Sequence, residues 1–121
     1  MRNYNLQYIL LILLLQKSRI KKHDSTSNIV GIMKRVRIII DGRVQGVGFR
    51  YFVSKQAGEH DIKGYVRNLY DGRVEIDAEG EGNSLNRFLI DCRRGPSMAR
   101  VDEFIVHDVP SFGFSKFSVK T

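Results

Sequence analysis

Apolar side chains first settle into a readable pattern after residue 33, where Val36, Ile38 and Ile40 fall on one face of a β-branched run. A period of two predicts a first strand there. Beyond a glycine-rich stretch, Phe49, Phe52, Val53, Ala57 and His60 recur at helical spacing, predicting a short amphipathic helix whose end Gly58 weakens. Residues 62–68 read as a second strand, Tyr70, Asp71 and Gly72 as a turn, and residues 73–79 as a third strand in which Val74, Ile76 and Ala78 alternate with charges. These two strands are expected to form a hairpin. Asn83 or Ser84 is the candidate cap of a second helix, in which Leu85, Phe88, Leu89 and Cys92 stand at i, i+3, i+4 and i+7 before Gly95 and Pro96 end it. Residues 100–107 and 114–119 supply the last strand material. The order β-α-β-β-α-β predicts an α+β, ferredoxin-like split βαβ sandwich: a four- to five-stranded antiparallel sheet with both helices on one face.

Residues 1–33 do not fit this plan. Residues 8–15 are continuously apolar and are followed by Lys17, Arg19, Lys21 and Lys22. As a helix, eight residues reach only about 12 Å against about 30 Å of bilayer hydrocarbon, so no stable membrane insertion is expected. The n-region has only Arg2, and no A-x-A-like cleavage site follows. The expectation is a poorly ordered leader on a domain spanning residues 34–121; an interfacial helix and a cleaved signal are the other readings of the same run.

Composition narrows the class. A chain of 121 residues, 42% apolar and 27% charged, supports one core. The single cysteine, Cys92, excludes an intramolecular disulfide and points to a reducing, cytoplasmic compartment. Net charge is +7, but residues 1–33 hold five Lys/Arg and one Asp, leaving fifteen Lys/Arg against twelve Asp/Glu in residues 34–121. The domain itself is therefore only mildly basic, which favours small anionic substrates over nucleic acid.

Candidate chemistry begins at residues 42–50, G-R-V-Q-G-V-G-F-R, where three glycines join a strand to a helix and Arg50 stands at the helix start. Unpaired N–H groups at a helix start carry positive partial charge, and glycine lets the chain curl until several converge on one anion. A guanidinium there can fork onto two phosphate oxygens. On this segment alone, a tight turn with a solvated Arg50 explains the glycines equally well. A Walker loop is excluded by the absence of Gly-Lys-Ser/Thr, and the dinucleotide pattern started at Gly46 meets Tyr51 where glycine is required. A cysteine-dependent phosphatase would want arginine six residues past its nucleophile, where Met98 follows Cys92.

The second constellation is G-Y-V-R-N-L-Y-D-G-R-V over residues 64–74, followed by Gly80; residues 95–101 read G-P-S-M-A-R-V. Together with residues 42–50, at a separation of about fourteen residues, these segments resemble the acylphosphatase signature over residues 34–121. The resemblance implies an enzyme that cleaves acyl phosphates to a carboxylate and inorganic phosphate without metal or cofactor. It assigns phosphate binding to Arg50 and the backbone amides of Gln45, Gly46, Val47, Gly48, Phe49 and Arg50, and positioning of the attacking water to Asn68. Inorganic phosphate is then product and competitive inhibitor, and the enzyme is expected to act as a monomer. His60 and His107 are expected to be structural, and His23 belongs to the leader.

The rival from another class is an RNA-binding module with the same element order. Residues 45–52 resemble its aromatic motif superficially, but Gln45 replaces a basic residue, Val47 an aromatic one and Arg50 a valine. The segment also lies between strand and helix instead of on a third strand. A third reading keeps the phosphate cradle but makes it a regulatory domain, as in the acylphosphatase-like portion of larger maturation enzymes; the short chain argues against it.

Overall fold

The computed structural model describes residues 3–4 and 32–121. The apolar run at residues 8–15 lies outside the described residues. The elements are β1 (Asn3–Tyr4), β2 (Met33–Arg43), α1 (Phe49–Glu59), β3 (Lys63–Asn68), β4 (Val74–Glu81), α2 (Gly82–Arg94), β5 (Arg100–Val109) and β6 (Phe117–Lys120). They form one sheet in the order β1-β5-β2-β4-β3-β6.

Strand alternation sends Val36, Ile38 and Ile40 of β2 and Val74, Ile76 and Ala78 of β4 into the core, where Val53 and Ala57 of α1 and Leu85, Phe88, Leu89 and Cys92 of α2 meet them. Register aligns these faces: Ile38 lies opposite Ile76 on one side and Val106 on the other, and Val66 opposite Ile76 continues the row. The α+β sandwich is thus as expected.

Three details differ from the sequence reading. The sheet is not wholly antiparallel, because β6 runs parallel to β3, with Gly64 opposite Phe117 and Val66 opposite Val119. After β5 the chain crosses the outer face to the far edge, and β6 must run back along the direction that β3 already has. Asn3 and Tyr4 add a short strand beside β5, opposite His107 and Val106, so two residues of the leader join the sheet. Glu81, not Asn83 or Ser84, caps α2: its carboxylate accepts from the N–H groups of Asn83 at 3.2 Å and Ser84 at 3.0 Å.

On β4, Glu75, Asp77 and Glu79 are buried along with the apolar residues between them. Each has partners. Arg35 donates to both Asp77 oxygens, at 2.8 and 2.7 Å, Arg37 adds a contact at 3.2 Å, and Arg67 donates to Glu75 at 2.6 Å. Glu79 accepts from the N–H groups of Phe112, Gly113 and Phe114 at 2.8–2.9 Å. Buried carboxylates persist only when paired or hydrogen-bonded in this way. Glu79 thereby pins the crossing segment over the sheet and so places β6 at the far edge.

Candidate active site

A register shift between Asp41 and Gly42 bends the end of β2 toward the loop that follows. Within that loop Gly46 (φ 73°) and Gly48 (φ 79°) occupy the left-handed region, which strains side chains bearing a Cβ. Gly48 is the N-cap of α1, and no side chain caps this helix. The first bond of the loop-helix junction is Phe52 N–H to the Gly48 carbonyl at 3.0 Å, so the N–H groups of residues 49–51 precede the intrahelical ladder. Contrast α2, where the Glu81 carboxylate already occupies the equivalent anion position. One helix start carries its own anion, and the other is open for one.

Arg50 lies in the first turn of α1 and is half-buried. Its Nη1 donates to the Lys120 carbonyl of β6 at 2.9 Å, and the rest of the fork has no partner among the described residues. A guanidinium held at one nitrogen keeps further donors for an oxyanion. Asn68 ends β3, opposite Val74, and its side chain makes no hydrogen bond to another described residue. Both residues line one cleft of about 400 Å³, together with Val44, Gly46, Gly48, Phe49, Tyr51, Ser54, Val119 and Thr121.

Of the residues singled out from sequence, Gly46, Gly48, Phe49, Arg50 and Asn68 are brought together at this cleft, while Gln45 and Val47 are not among its lining. Val47 packs on the core. The Gln45 side chain turns away to donate to the carbonyls of Leu69 at 2.7 Å and Arg73 at 2.9 Å, bracing the loop against the hairpin that bears Asn68. Sequence reasoning missed Ser54, Val44, Tyr51, Val119 and Thr121. The first lies one helical turn after Arg50 and was recoverable from spacing; the last two reach the cleft only through the parallel pairing of β6.

The other reactive side chains are accounted for elsewhere. Cys92 is fully buried on α2, and burial, with help from Asp91, pushes its thiol well above its ordinary range, so it is no nucleophile. His60 bonds Asp91 through Nε2 at 2.6 Å, tying the end of α1 to α2, and His107 lies in β5. No group of three metal-ligating side chains gathers among the described residues.

An α+β sandwich whose first long strand leads through a glycine-turned loop into an uncapped helix, with an arginine in its first turn and an amide across the cleft, has the layout of a domain suited to a small anion. A family model described as Acylphosphatase matches residues 36–119. An acylphosphatase of Bacillus licheniformis is 48% identical over 88 residues, covering 72% of this chain and 98% of the relative. The crystal structure of acylphosphatase from Bacillus subtilis is similar with a TM-score of 0.71 and 43% identity, covering 74% of this chain and all of that one. The crystal structure of full-length HypF in the phosphate- and nucleotide-bound form matches with a TM-score of 0.68 and 30% identity, over 74% of this chain and 12% of that one. The chain belongs to the acylphosphatase family, hydrolases of the carboxyl–phosphate anhydride.

Proposed function

We propose that this chain hydrolyses acyl phosphates with Arg50 and the backbone N–H groups of residues 45–50 holding the phosphoryl group and Asn68 orienting the attacking water. The observation that carries the assignment is the convergence of an uncapped helix start, Arg50 and an unpartnered Asn68 on one cleft. Water oxygen bonds to phosphorus as the bond from phosphorus to the acyl oxygen breaks. The carboxylate leaves with the electron pair, and the water protons pass to phosphate and solvent.

A carboxylate leaving group has a conjugate acid of pKa about 4–5, so it departs without a general acid. What the reaction needs is positioning and donors around the phosphoryl oxygens. A neutral amide at position 68 suits this, since a carboxylate about 4 Å from a phosphate charge would cost on the order of 4 kcal/mol per charge pair at an effective dielectric of 20.

Inorganic phosphate, as product, is proposed to occupy the same cradle and to inhibit competitively, and the enzyme is proposed to act as a cytoplasmic monomer. The one cysteine, buried and free, suits a reducing compartment. No helix among the described residues is long and apolar enough to cross a membrane. Against an RNA-binding reading, β4 puts three carboxylates on the outer face, where an RNA reader would present stacking rings. The test is release of inorganic phosphate from benzoyl phosphate by the full chain in excess EDTA: sustained turnover is expected, and no turnover with or without added divalent metal would overturn the reading.

A further inference from the structure

Lys120 joins the guanidinium of Arg50 to an aromatic ring on the other side of the sheet. Its carbonyl accepts from Arg50 Nη1 at 2.9 Å, while its ammonium lies 3.9 Å from the centroid of the Tyr65 ring. Strand alternation sets up the division: Phe117 packs on the core and Val119 lines the cleft, so Ser118 and Lys120 project from the outer face. Tyr65 does the same on β3, where its neighbour Val66 is in the core. The ring is itself fixed. Its hydroxyl donates to Glu75 at 3.3 Å, and Phe114 meets it edge-on at 6.3 Å between centroids. The guanidinium of Arg67 lies farther off, at 5.9 Å, and is already engaged by Glu75 at 2.6 Å.

The end of β6 needs such a tie. It is a four-residue strand at the edge of the sheet, and the pair of Arg67 with Lys120 is the last in its ladder with β3. Strand ends fray, and an arginine whose acceptor is a backbone carbonyl is placed no better than that carbonyl is. An ammonium over the face of a fixed ring is drawn to it by the ring quadrupole. We infer that Tyr65 is a positioning residue for Arg50: from the face away from the cleft it holds the side chain of Lys120, and with it the Lys120 carbonyl, so that Arg50 presents its remaining donors to a phosphate group. The inference rests on the phosphate-binding role proposed for Arg50 above.

The test is the Kd of inorganic phosphate by calorimetry on the full chain, with kcat/KM for benzoyl phosphate beside it and circular dichroism as the check on folding. Tyr65→Leu and Lys120→Met should each weaken phosphate binding by about 2- to 5-fold and lower kcat/KM by a similar factor. Tyr65→Phe keeps the ring and Lys120→Arg keeps the cation, so both should stay near the native values. Because the two side chains act as a unit, the double variant should lose no more than the worse of the single ones. The Nε–H resonance of Arg50, identified by its loss in Arg50→Lys, should move in both single variants. A native Kd in a folded Tyr65→Leu protein overturns the inference, and so does a loss confined to Lys120→Met, which reports only the removed charge. Losses that multiply in the double variant overturn it too. If Tyr65→Leu does not fold, an unmoved Arg50 resonance in Lys120→Met, or an equal loss in Lys120→Arg, overturns it. A native chain that binds phosphate but does not turn over benzoyl phosphate sinks the hydrolase reading, and the pattern of Kd values still decides the role of Tyr65. If it binds no phosphate, both readings fail together.

Discussion

Gln45 donates from its side-chain amide to the carbonyls of Leu69, at 2.7 Å, and Arg73, at 2.9 Å, so one residue fastens the phosphate loop to the hairpin that carries Asn68. The bond joins the two halves of the site across 24 residues of chain. Gln45→Met should cost about 1 kcal/mol, since the Arg73 carbonyl also accepts from the Leu69 N–H and the Leu69 carbonyl from the Gly72 N–H. Gln45→Glu is nearly isosteric yet faces two carbonyl oxygens with a carboxylate, and should lose more stability and more kcat. Because only the protonated acid can donate, the Gln45→Glu deficit should shrink as pH falls. Urea unfolding and kcat measured from pH 7 to pH 5 decide this; a Gln45→Glu protein equal to the native one at pH 7 would remove the brace.

The contrast between what the sequence disclosed and what it hid follows chain distance. The residues proposed as the cradle and Asn68 sit on two contiguous segments, 42–50 and 64–74, whose glycines mark them, so most of the polar lining of the cleft was readable. β2 and the inner stripe of α2 were readable because one face of each is apolar. On β4 the alternation set charges opposite the apolar face, and the structure buries them: Arg67 of the hairpin pairs with Glu75, but the partners of Asp77 and Glu79 arrive from Arg35 and Arg37, about 40 residues before, and from the amides of residues 112–114, over 30 residues after. Local pattern carries no record of such pairs. For the same reason the reach of Val119 and Thr121 into the cleft was invisible: it depends on the crossing segment that Glu79 holds.

Glu79 makes a pH-dependent contribution to stability. Burial raises its pKa, but hydrogen bonds from the N–H groups of Phe114, Phe112 and Gly113 outweigh that, with Arg35 assisting, and hold the carboxyl below its ordinary value. A depressed folded-state pKa gives stability that is complete above the unfolded value of about 4.3 and is lost as pH falls through the folded value. Asp71 and Asp102 are also lowered, by Arg73 and Arg100, but these pairs lie at the surface and contribute little. Glu79→Gln should therefore lower stability at pH 7 by about 1–3 kcal/mol and flatten the acid limb of the stability curve. Denaturant unfolding between pH 7 and pH 3 is the measurement, and an unchanged acid limb would show that other carboxylates govern it.

Asn3 and Tyr4 pair at the edge of the sheet opposite the one that carries the cleft residues. They join β5 at one end of the strand order, whereas Asn68 on β3 and the Lys120 carbonyl that supports Arg50 lie at the other. Deleting residues 1–31 should leave kcat/KM for benzoyl phosphate and inhibition by inorganic phosphate unchanged. A clear loss of turnover in a truncated protein that remains folded would mean that the leader reaches the cleft.

Arg50 and Asn68 line one cleft but are proposed to act on different partners, and that makes their roles separable. Arg50→Ala removes the charged fork from the phosphoryl group, so affinity for inorganic phosphate and turnover should fall together, by several kcal/mol in transition-state stabilisation. Arg50→Lys should recover little, because a point charge leaning on the Lys120 carbonyl does not reproduce the planar fork. Asn68→Ala leaves the cradle intact, so binding of inorganic phosphate by calorimetry should hold near the native value. Its loss should appear in kcat, by about 100-fold or more, since orienting one reactant is worth at least that much. An exposed neighbour on the same strand, Arg67, points to the outer face toward Glu75, and Arg67→Ala serves as the control for general damage to β3. If Asn68→Ala keeps a near-native kcat, Asn68 is a hairpin residue and the water is held by something else. Equal losses of phosphate affinity and kcat would instead place its amide in the cradle beside Arg50.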